Sequence, residues 1–334
     1  MGEGLSFAED LAMRVTSGDR RALARAITLV ESSRADHRQM AQTLLSRLSP
    51  RSKPALRVGL TGTPGVGKSS FIEALGLSLI AAGHTLAVVA VDPSSARSGG
   101  SILGDKTRME QLSRSPRAFI RPTPSQATLG GVGRHTRETI LLVEAWGADV
   151  VLVETVGVGQ SETMVADMTD IFVLLLAPAG GDELQGVKRG IMEMADLILV
   201  NKADGDLKPQ ATRTCADYQG ALRLLRARSG DPEGFPRAQT VSAASGDGLL
   251  DAWEAVETLA AVRQENGFWQ DRRASQALTW FDHAIEAGLI RRLERNPSAA
   301  DHRARLAQEV ASGRVPPDIA AETLLDGFAP NSTG

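Results

Sequence analysis

The chain of 334 residues has a single cysteine, Cys215, so no intrachain disulfide can form and no cysteine cluster can hold zinc or an iron–sulfur centre. It has no excess of positive charge: 37 Lys and Arg stand against 40 Asp and Glu, a formal charge of -3, which disfavours nonspecific binding to a nucleic-acid backbone and predicts no nucleic-acid partner. Long apolar runs are missing. The longest, Ile171 to Ala177, has seven residues, against the ~20 needed to span a bilayer, so no membrane partner is expected. The N-terminal stretch carries Glu9, Asp10, Arg14, Asp19, Arg20 and Arg21 and lacks the apolar core of a signal peptide, which reads as a cytoplasmic protein. His37, His84, His135, His283 and His302 are scattered, with no pair at metal-ligand spacing. No internal repeat is present, and 33 Gly and 15 Pro fall short of low complexity. With 42% apolar and 23% charged residues, what remains is a globular protein large enough for more than one domain.

Residues 1–54 read as a helical N-terminal extension, with Leu23, Ile27 and Val30 on one stripe and Met40, Leu44 and Leu48 on another. The stretch Ser49-Pro50-Arg51-Ser52-Lys53-Pro54 breaks that pattern. From 55 to 262 short apolar runs alternate with helical segments, the signature of parallel βαβ units; strands are predicted at 56–61, 86–91, 118–121, 150–154, 171–176, 197–201 and 238–242. Runs such as Val150-Val151-Leu152-Val153 do not alternate with polar residues, as expected when helices cover both faces of a sheet. The fold class is therefore α/β, with a doubly wound, mostly parallel sheet and helical N- and C-terminal extensions. Residues 263–334 read as a helical arm, whose stripe Leu278, Phe281, Ile285, Leu289 and Leu293 has so little sheet left to cover that it is expected to pack on a second copy as a homodimer.

The strand ending at Thr61 runs into Gly62-Thr63-Pro64-Gly65-Val66-Gly67-Lys68-Ser69-Ser70, which fits G-x-x-x-x-G-K-[ST], and Phe71, Leu75 and Leu79 then mark a helix. A glycine-rich loop that opens a helix lets backbone N–H groups approach a phosphate; Lys68 supplies a point charge and the Ser69 hydroxyl a ligand for Mg²⁺. Asn201-Lys202-Ala203-Asp204 follows a strand at the edge where ligands bind in open α/β sheets. A carboxylate at Asp204 can accept from N1–H and the exocyclic amine of guanine, whereas adenine offers neither donor, so the expected nucleotides are GTP and GDP. Ser242-Ala243 is the candidate loop on the base side. Glu154 ends a strand ahead of Thr155-Val156-Gly157, the Walker-B and second-switch position. Where many small GTPases place a water-orienting glutamine after that glycine, this chain has Val158; Gln160 comes two residues late, so slow intrinsic hydrolysis is expected. Asp92 and Asp105 flank a Ser/Gly-rich segment and are candidates for the Mg²⁺ neighbourhood or for positioning water. The stretch 178–188 reads either as a nucleotide-responsive loop or as a connector into helix 187–195, and Thr128 to Gly133 as a positioning or partner-contact loop.

Taken together, GTPGVGKSS, VDPSSARSGGSILGDKTRM, ETVGVGQSE, APAGGDELQGVKRGIMEMAD and NKAD resemble the MeaB/ArgK family of G3E P-loop GTPases over essentially the whole chain. The resemblance implies a homodimeric GTPase that chaperones adenosylcobalamin-dependent methylmalonyl-CoA mutase, gating cofactor delivery and protecting the mutase from inactivation. It implies that Gly62 to Ser70 bind phosphates, that Ser69, Asp92 and Asp105 surround Mg²⁺, and that Asn201, Lys202 and Asp204 read guanine. Segment 178–188, with Asp182 and Lys188, matches a family switch that responds to nucleotide and mutase. Lys68, Asp105, Glu154 and Lys188 are accordingly the candidate catalytic residues. Two rivals compete with this reading. A metal-insertion GTPase of the nickel-chaperone type would carry His-rich or paired Cys ligands, and a protein-kinase-like transferase would need a positioned acceptor and base.

Overall fold

The structure, a computed structural model, describes residues 2–32, 34–48, 53–91, 109–123, 129–155, 161–178, 189–225, 228 and 230–328. Three N-terminal helices, α1 (Gly2–Thr16), α2 (Arg20–Glu31) and α3 (Ala35–Ser46), precede β1 (Leu56–Thr61), α4 (Lys68–Ala81) and β2 (Leu86–Val91). Then follow α5 (Glu110–Arg114), β3 (Ala118–Thr123), α6 (Leu129–Trp146), β4 (Val150–Thr155), α7 (Ser161–Ala166), β5 (Ile171–Leu176), α8 (Arg189–Met194) and β6 (Leu197–Val200). The chain continues through α9 (Lys208–Arg223), β7 (Arg237–Thr240), α10 (Leu249–Glu265), α11 (Phe268–Arg295), α12 (Pro297–Ala311) and α13 (Pro317–Asp326).

All seven strands are parallel, in the order β3-β2-β4-β1-β5-β6-β7. Every position of β2, β4 and β5 is buried, which explains why their sequences are apolar throughout, apart from Glu154 and Thr155 at the end of β4. Side chains alternate across a strand, so Val58 and Leu60 face α4 and α10, where they join Phe71, Leu75, Leu79, Trp253 and Val256 in the main core. Gly59 and Thr61 face the other way. A Cβ on Gly59 would lie 2.9 Å from Val165 of α7 and 2.8 Å from the Thr169 hydroxyl, so only glycine lets α7 approach β1 this closely. Order reverses at β1: β2 to β4 lie on one side and β5 to β7 on the other, which opens a crevice at the carboxyl ends of the strands.

The chain divides into two compact units, Met1–Ala274 and Ser275–Gly334. In the first, α1–α3 are tied to the sheet by polar contacts that span long stretches of sequence. The Trp146 indole donates to the Gly18 carbonyl at 3.0 Å, Arg38 pairs with Glu138 at 2.7 Å, and Arg121 pairs with the buried Glu31. At the amino edge of the sheet, Arg263, 1% exposed, donates to Asp196 at 2.6 Å and to both carboxylate oxygens of Asp231 at 2.8 Å. Burial alone would lower the pKa of that guanidinium, but the hydrogen bonds and charges of Asp231 and Asp196 outweigh it and hold the pKa above the ordinary value. In the second unit, Ala299 and Ala320 are buried, while Leu278, Phe281, Ile285 and Leu289 are between 44% and 65% exposed.

His135 of α6 is 2% exposed, accepts from Arg134 at 3.1 Å through Nε2, and has its pKa pushed down to about 4, by burial first and then by the charges of Arg134 and Arg38. It therefore folds as a neutral ring, while the unfolded chain protonates its histidine near ~6.5. Between those values the unfolded state binds the extra proton, so this contribution to stability is complete above about pH 6.5 and is lost as pH falls toward 4. His135→Gln is expected to flatten that part of the acid limb, measured as the difference between urea midpoints at pH 7 and pH 4.5; an unchanged difference overturns the assignment.

Candidate nucleotide site

Gly62 is where β1 becomes the loop, and its surroundings leave no room for a side chain. Its φ is +155°, and a Cβ there would lie 2.2 Å from the Leu175 carbonyl oxygen of β5. Gly65 and Gly67 follow at φ +82° and +93°, both conformations that glycine adopts without steric cost. Gly67 caps the amino end of α4, a 14-residue helix whose first turn has free N–H groups and the positive end of the helix dipole. The Lys68 side chain folds back over the loop: its ammonium, buried, donates to the Gly62 carbonyl at 2.6 Å and the Thr63 carbonyl at 3.4 Å. Thr63, Pro64, Gly65 and Ser70 are exposed and Ser69 is half-buried, so the outer side of the loop faces solvent. A strand, a glycine turn, an inward lysine and a helix start together make an anion cradle.

The second element of the site comes from the end of β6. Asn201, 1% exposed, donates from Nδ2 to the Val66 carbonyl at 2.9 Å and accepts the Ala243 N–H at 3.1 Å through Oδ1. One amide side chain thus joins the phosphate-type loop to the loop after β7. Lys202 takes a left-handed backbone, φ +60°, and its ammonium donates to the Gly65 carbonyl at 2.9 Å. A non-glycine residue in that region costs about 1–2 kcal/mol, and here it turns the chain so that Asn201 and Lys202 both reach the glycine loop. The Asp204 carboxylate is oriented by the Ser242 hydroxyl, which donates to Oδ1 at 2.6 Å and accepts the Ser245 N–H at 3.1 Å. Oriented in this way, a carboxylate keeps lone pairs for two parallel donors such as those on the edge of guanine.

The third element is β4. Glu154 is buried near its end and pairs in register with Leu60, which puts it on the same face as α4. Thr155 lies one residue further, on the opposite face, and shares a 2.9 Å hydrogen bond with the Thr61 hydroxyl.

A sequence model of the family described as methylmalonyl-CoA mutase-associated GTPase MeaB matches residues 23–298. The chain belongs to the MeaB family. It is 52% identical to a putative GTPase of Caulobacter vibrioides, over 96% of this chain and 97% of that protein. It is 47% identical to the mitochondrial methylmalonic aciduria type A homolog of Mus musculus, over 98% of this chain and 82% of the relative. It is also 47% identical to the GTPase ArgK of Escherichia coli, over 85% of both chains. Among solved structures it is similar to that of an LAO/AO transport system kinase, 36% identical with a TM-score of 0.73, covering 96% of this chain and 97% of the other.

In this MeaB-family chain the fold brings Gly62 to Ser70, Asn201, Lys202, Asp204, Ser242, Ala243 and Glu154 to the carboxyl edge of the central strands. Asp92, Asp105, Gln160, Asp182 and Lys188 lie outside the described residues. The glycines of Thr128 to Gly133 are placed differently from the loop their composition suggests: Leu129 to Gly133 open the 18-residue helix α6. A Cβ on Gly133 would sit 3.5 Å from Met164 Sδ, an ordinary contact distance, so that position in the helix would accept a small side chain. Sequence reading missed two further features, the Val66 carbonyl as the anchor of Asn201 and the Thr61–Thr155 pair. Only the adjacency of each threonine to a motif, before Gly62 and after Glu154, signals the second.

Gly62→Ala meets both the positive φ and the Leu175 carbonyl, and is expected to cost about 3 kcal/mol or more. Gly65→Ala meets only its φ of +82°, with nothing within 4 Å of the added carbon, and is expected to cost about 1 kcal/mol. Urea denaturation of the two variants checks the contrast; equal losses would show that backbone conformation alone, and not the close approach to β5, sets the requirement at Gly62.

Proposed function

We propose that this chain binds GTP in the cradle of Gly62 to Ser70, reads its base with Asp204, hydrolyses it to GDP and phosphate, and uses that cycle to serve methylmalonyl-CoA mutase. The observation that carries the nucleotide reading is the Asn201 bridge, 2.9 Å to Val66 and 3.1 Å from Ala243, which makes one rigid unit of the base-reading motif and the phosphate loop. In this reading Lys68 leaves the carbonyls of Gly62 and Thr63 for the β- and γ-phosphates, exchanging neutral acceptors for charged ones. The lysine is pre-folded toward the loop, so little side-chain entropy remains to be lost on binding. Asp204, aligned by Ser242, accepts from N1–H and the exocyclic amine of guanine. Magnesium, when bound, neutralises charge on the β- and γ-oxygens. Ser69, in the first turn of α4, is the hydroxyl that would help to hold it, together with the phosphates. Asp92 and Asp105 complete its surroundings by motif. Glu154, on the α4 face of β4, polarises or positions water near the γ-phosphate, and Lys188 senses phosphate charge or bridges to the partner.

The mutase reading is supported by the family description and by the relatives named methylmalonic aciduria type A homologs. The chain is proposed to gate adenosylcobalamin loading and to protect the mutase from inactivation. It is proposed to act as a homodimer through the exposed stripe Leu278, Phe281, Ile285 and Leu289.

Base selectivity tests the first half. Calorimetry is expected to show GTP and GDP binding at least 10³-fold more tightly than ATP and ADP, with Asp204→Asn shifting preference toward xanthine nucleotides. Equal affinities for ATP and GTP overturn the assignment of Asp204.

The second half is tested by adding purified methylmalonyl-CoA mutase. With Val158 in the glutamine position, the partner is expected to raise the rate of phosphate release by about 10³-fold, the scale of trans-acting activation of an incomplete site. Lys188→Ala is expected to lower the stimulated rate much more than the basal one. No stimulation sinks the mutase reading, and label from γ-³²P-GTP found on protein instead of in free phosphate favours the kinase rival.

A further inference from the structure

The hydroxyls of Thr61 and Thr155 are 2.9 Å apart, and the two residues are 2% and 0% exposed. Leu60 pairs with Glu154 in the parallel ladder, so the threonines are the next residues on each strand, side by side on the sheet face that α7 covers. Each stands at a junction. Thr61 is the last residue before Gly62, and Thr155 is the residue after Glu154, where β4 ends. Two valines would fill the same volume and suit a buried strand better, because a hydroxyl taken out of water must find a partner. This pair satisfies itself and adds a direct side-chain link between β1 and β4 at strand ends whose other neighbours in the ladder are Leu174, beside Thr61, and Val91, beside Thr155.

On its other side the base of the loop is fixed as well, since Gly62 lies against the Leu175 carbonyl of β5 at a distance that excludes even a methyl group. The start of the glycine loop is thus wedged against β5 and latched to β4. Glu154 is attached to the latched strand end, on the face toward α4, so the latch sets its height relative to the loop. We propose that the Thr61–Thr155 hydroxyl pair is a positioning device for hydrolysis: it holds Glu154 in register with the phosphate loop without touching the nucleotide. The inference rests on the GTPase reading above. Its energetic logic is that a reacting constellation loses rate steeply with small displacements, about 10²-fold for 1 Å, while ground-state binding, carried by Gly62 to Ser70, Asn201 and Asp204, is insensitive to them.

The test uses the full-length protein and four variants: Thr61→Val, Thr155→Val, the double valine, and the double serine. Each is measured for thermal midpoint, GDP affinity, and kcat and KM for GTP. Each single valine leaves one buried hydroxyl without its partner and is expected to lower the midpoint; the double valine removes both hydroxyls and is expected to recover most of it. The rate is expected to behave differently. All three valine variants should lose about tenfold in kcat with KM and GDP affinity within about threefold of the parent, and the double serine, which keeps both hydroxyls, should stay within about threefold in kcat. A double valine that regains kcat together with its midpoint overturns the proposal, as the pair would then serve only to satisfy itself. Loss of GDP affinity in step with kcat also overturns it, by assigning the pair to the loop's shape. A parent protein that releases no phosphate from GTP, with or without the mutase, removes the GTPase reading and this inference together, whereas an active parent with unaffected variants removes the inference alone.

Discussion

The site depends on one close approach, that of the start of the glycine loop to the neighbouring strand. At 2.2 Å from the Leu175 oxygen there is no place for any side-chain atom at position 62, so the chain turns out of β1 flush against β5. From that point the loop has few choices. It passes Val66, whose carbonyl is taken by Asn201, and enters α4 at Gly67, where a Cβ would lie 2.7 Å from the Asn201 amide nitrogen. Glycine at 62 lets the loop touch β5, and glycine at 67 lets Asn201 touch the loop. A loop normally moves more than the elements it joins, but this one is held at its base and along its length by groups on two other strands, which is how a rigid scaffold gives a loop a fixed shape.

The opposite edge of the sheet is organised by charge instead of by close packing. Asp170 accepts from the Arg57 N–H at 2.8 Å and from two nitrogens of Arg273, at 2.8 and 2.7 Å; Asp196 accepts from the Phe172 N–H and from Arg263. Both aspartates sit just before a strand, β5 and β6, and their arginines come from α10 and the first turns of α11. Arg272 adds two bonds to the Ala166 and Thr169 carbonyls, at the end of α7. Buried ion pairs are weak evidence for stability, since desolvation offsets much of the Coulomb gain, but they are demanding of geometry. Their effect here is to specify where α10 and the start of α11 attach. They also fix the far end of α7, the helix that follows Glu154 and Thr155 in the chain.

Sequence reading captures what is local and misses what is paired across the chain. The strands were legible because helices on both faces turn a buried parallel strand into an apolar run, and their ends shift by only one or two residues: the fourth reaches Thr155 and the seventh covers 237–240. The glycine loop and the Asn201 to Asp204 motif were legible because each is a set of fixed residue types at fixed spacing beside a strand end. The hydrogen bonds that unite them were not: Asn201 and Val66 are 135 residues apart, Thr61 and Thr155 are 94 apart, and no periodicity encodes either. Glycines 130, 131 and 133 misled for a different reason. Composition marks them as a loop, but glycine only weakens a helix, by about 1 kcal/mol per residue, and the 18-residue helix they open carries that cost.

The polar contacts at this end of the sheet are divided among single side chains. Asp204 accepts from Ser242, which is itself held by the loop that follows β7. Lys68 donates to the Gly62 and Thr63 carbonyls of the glycine loop. Asn201 holds two loops at once, with its amide nitrogen on the glycine loop and its amide oxygen on the loop that carries Ala243. An amide suits that place because it donates and accepts at once; a carboxylate would lose the bond to the Val66 carbonyl and add a buried charge, and a methyl group would lose both bonds.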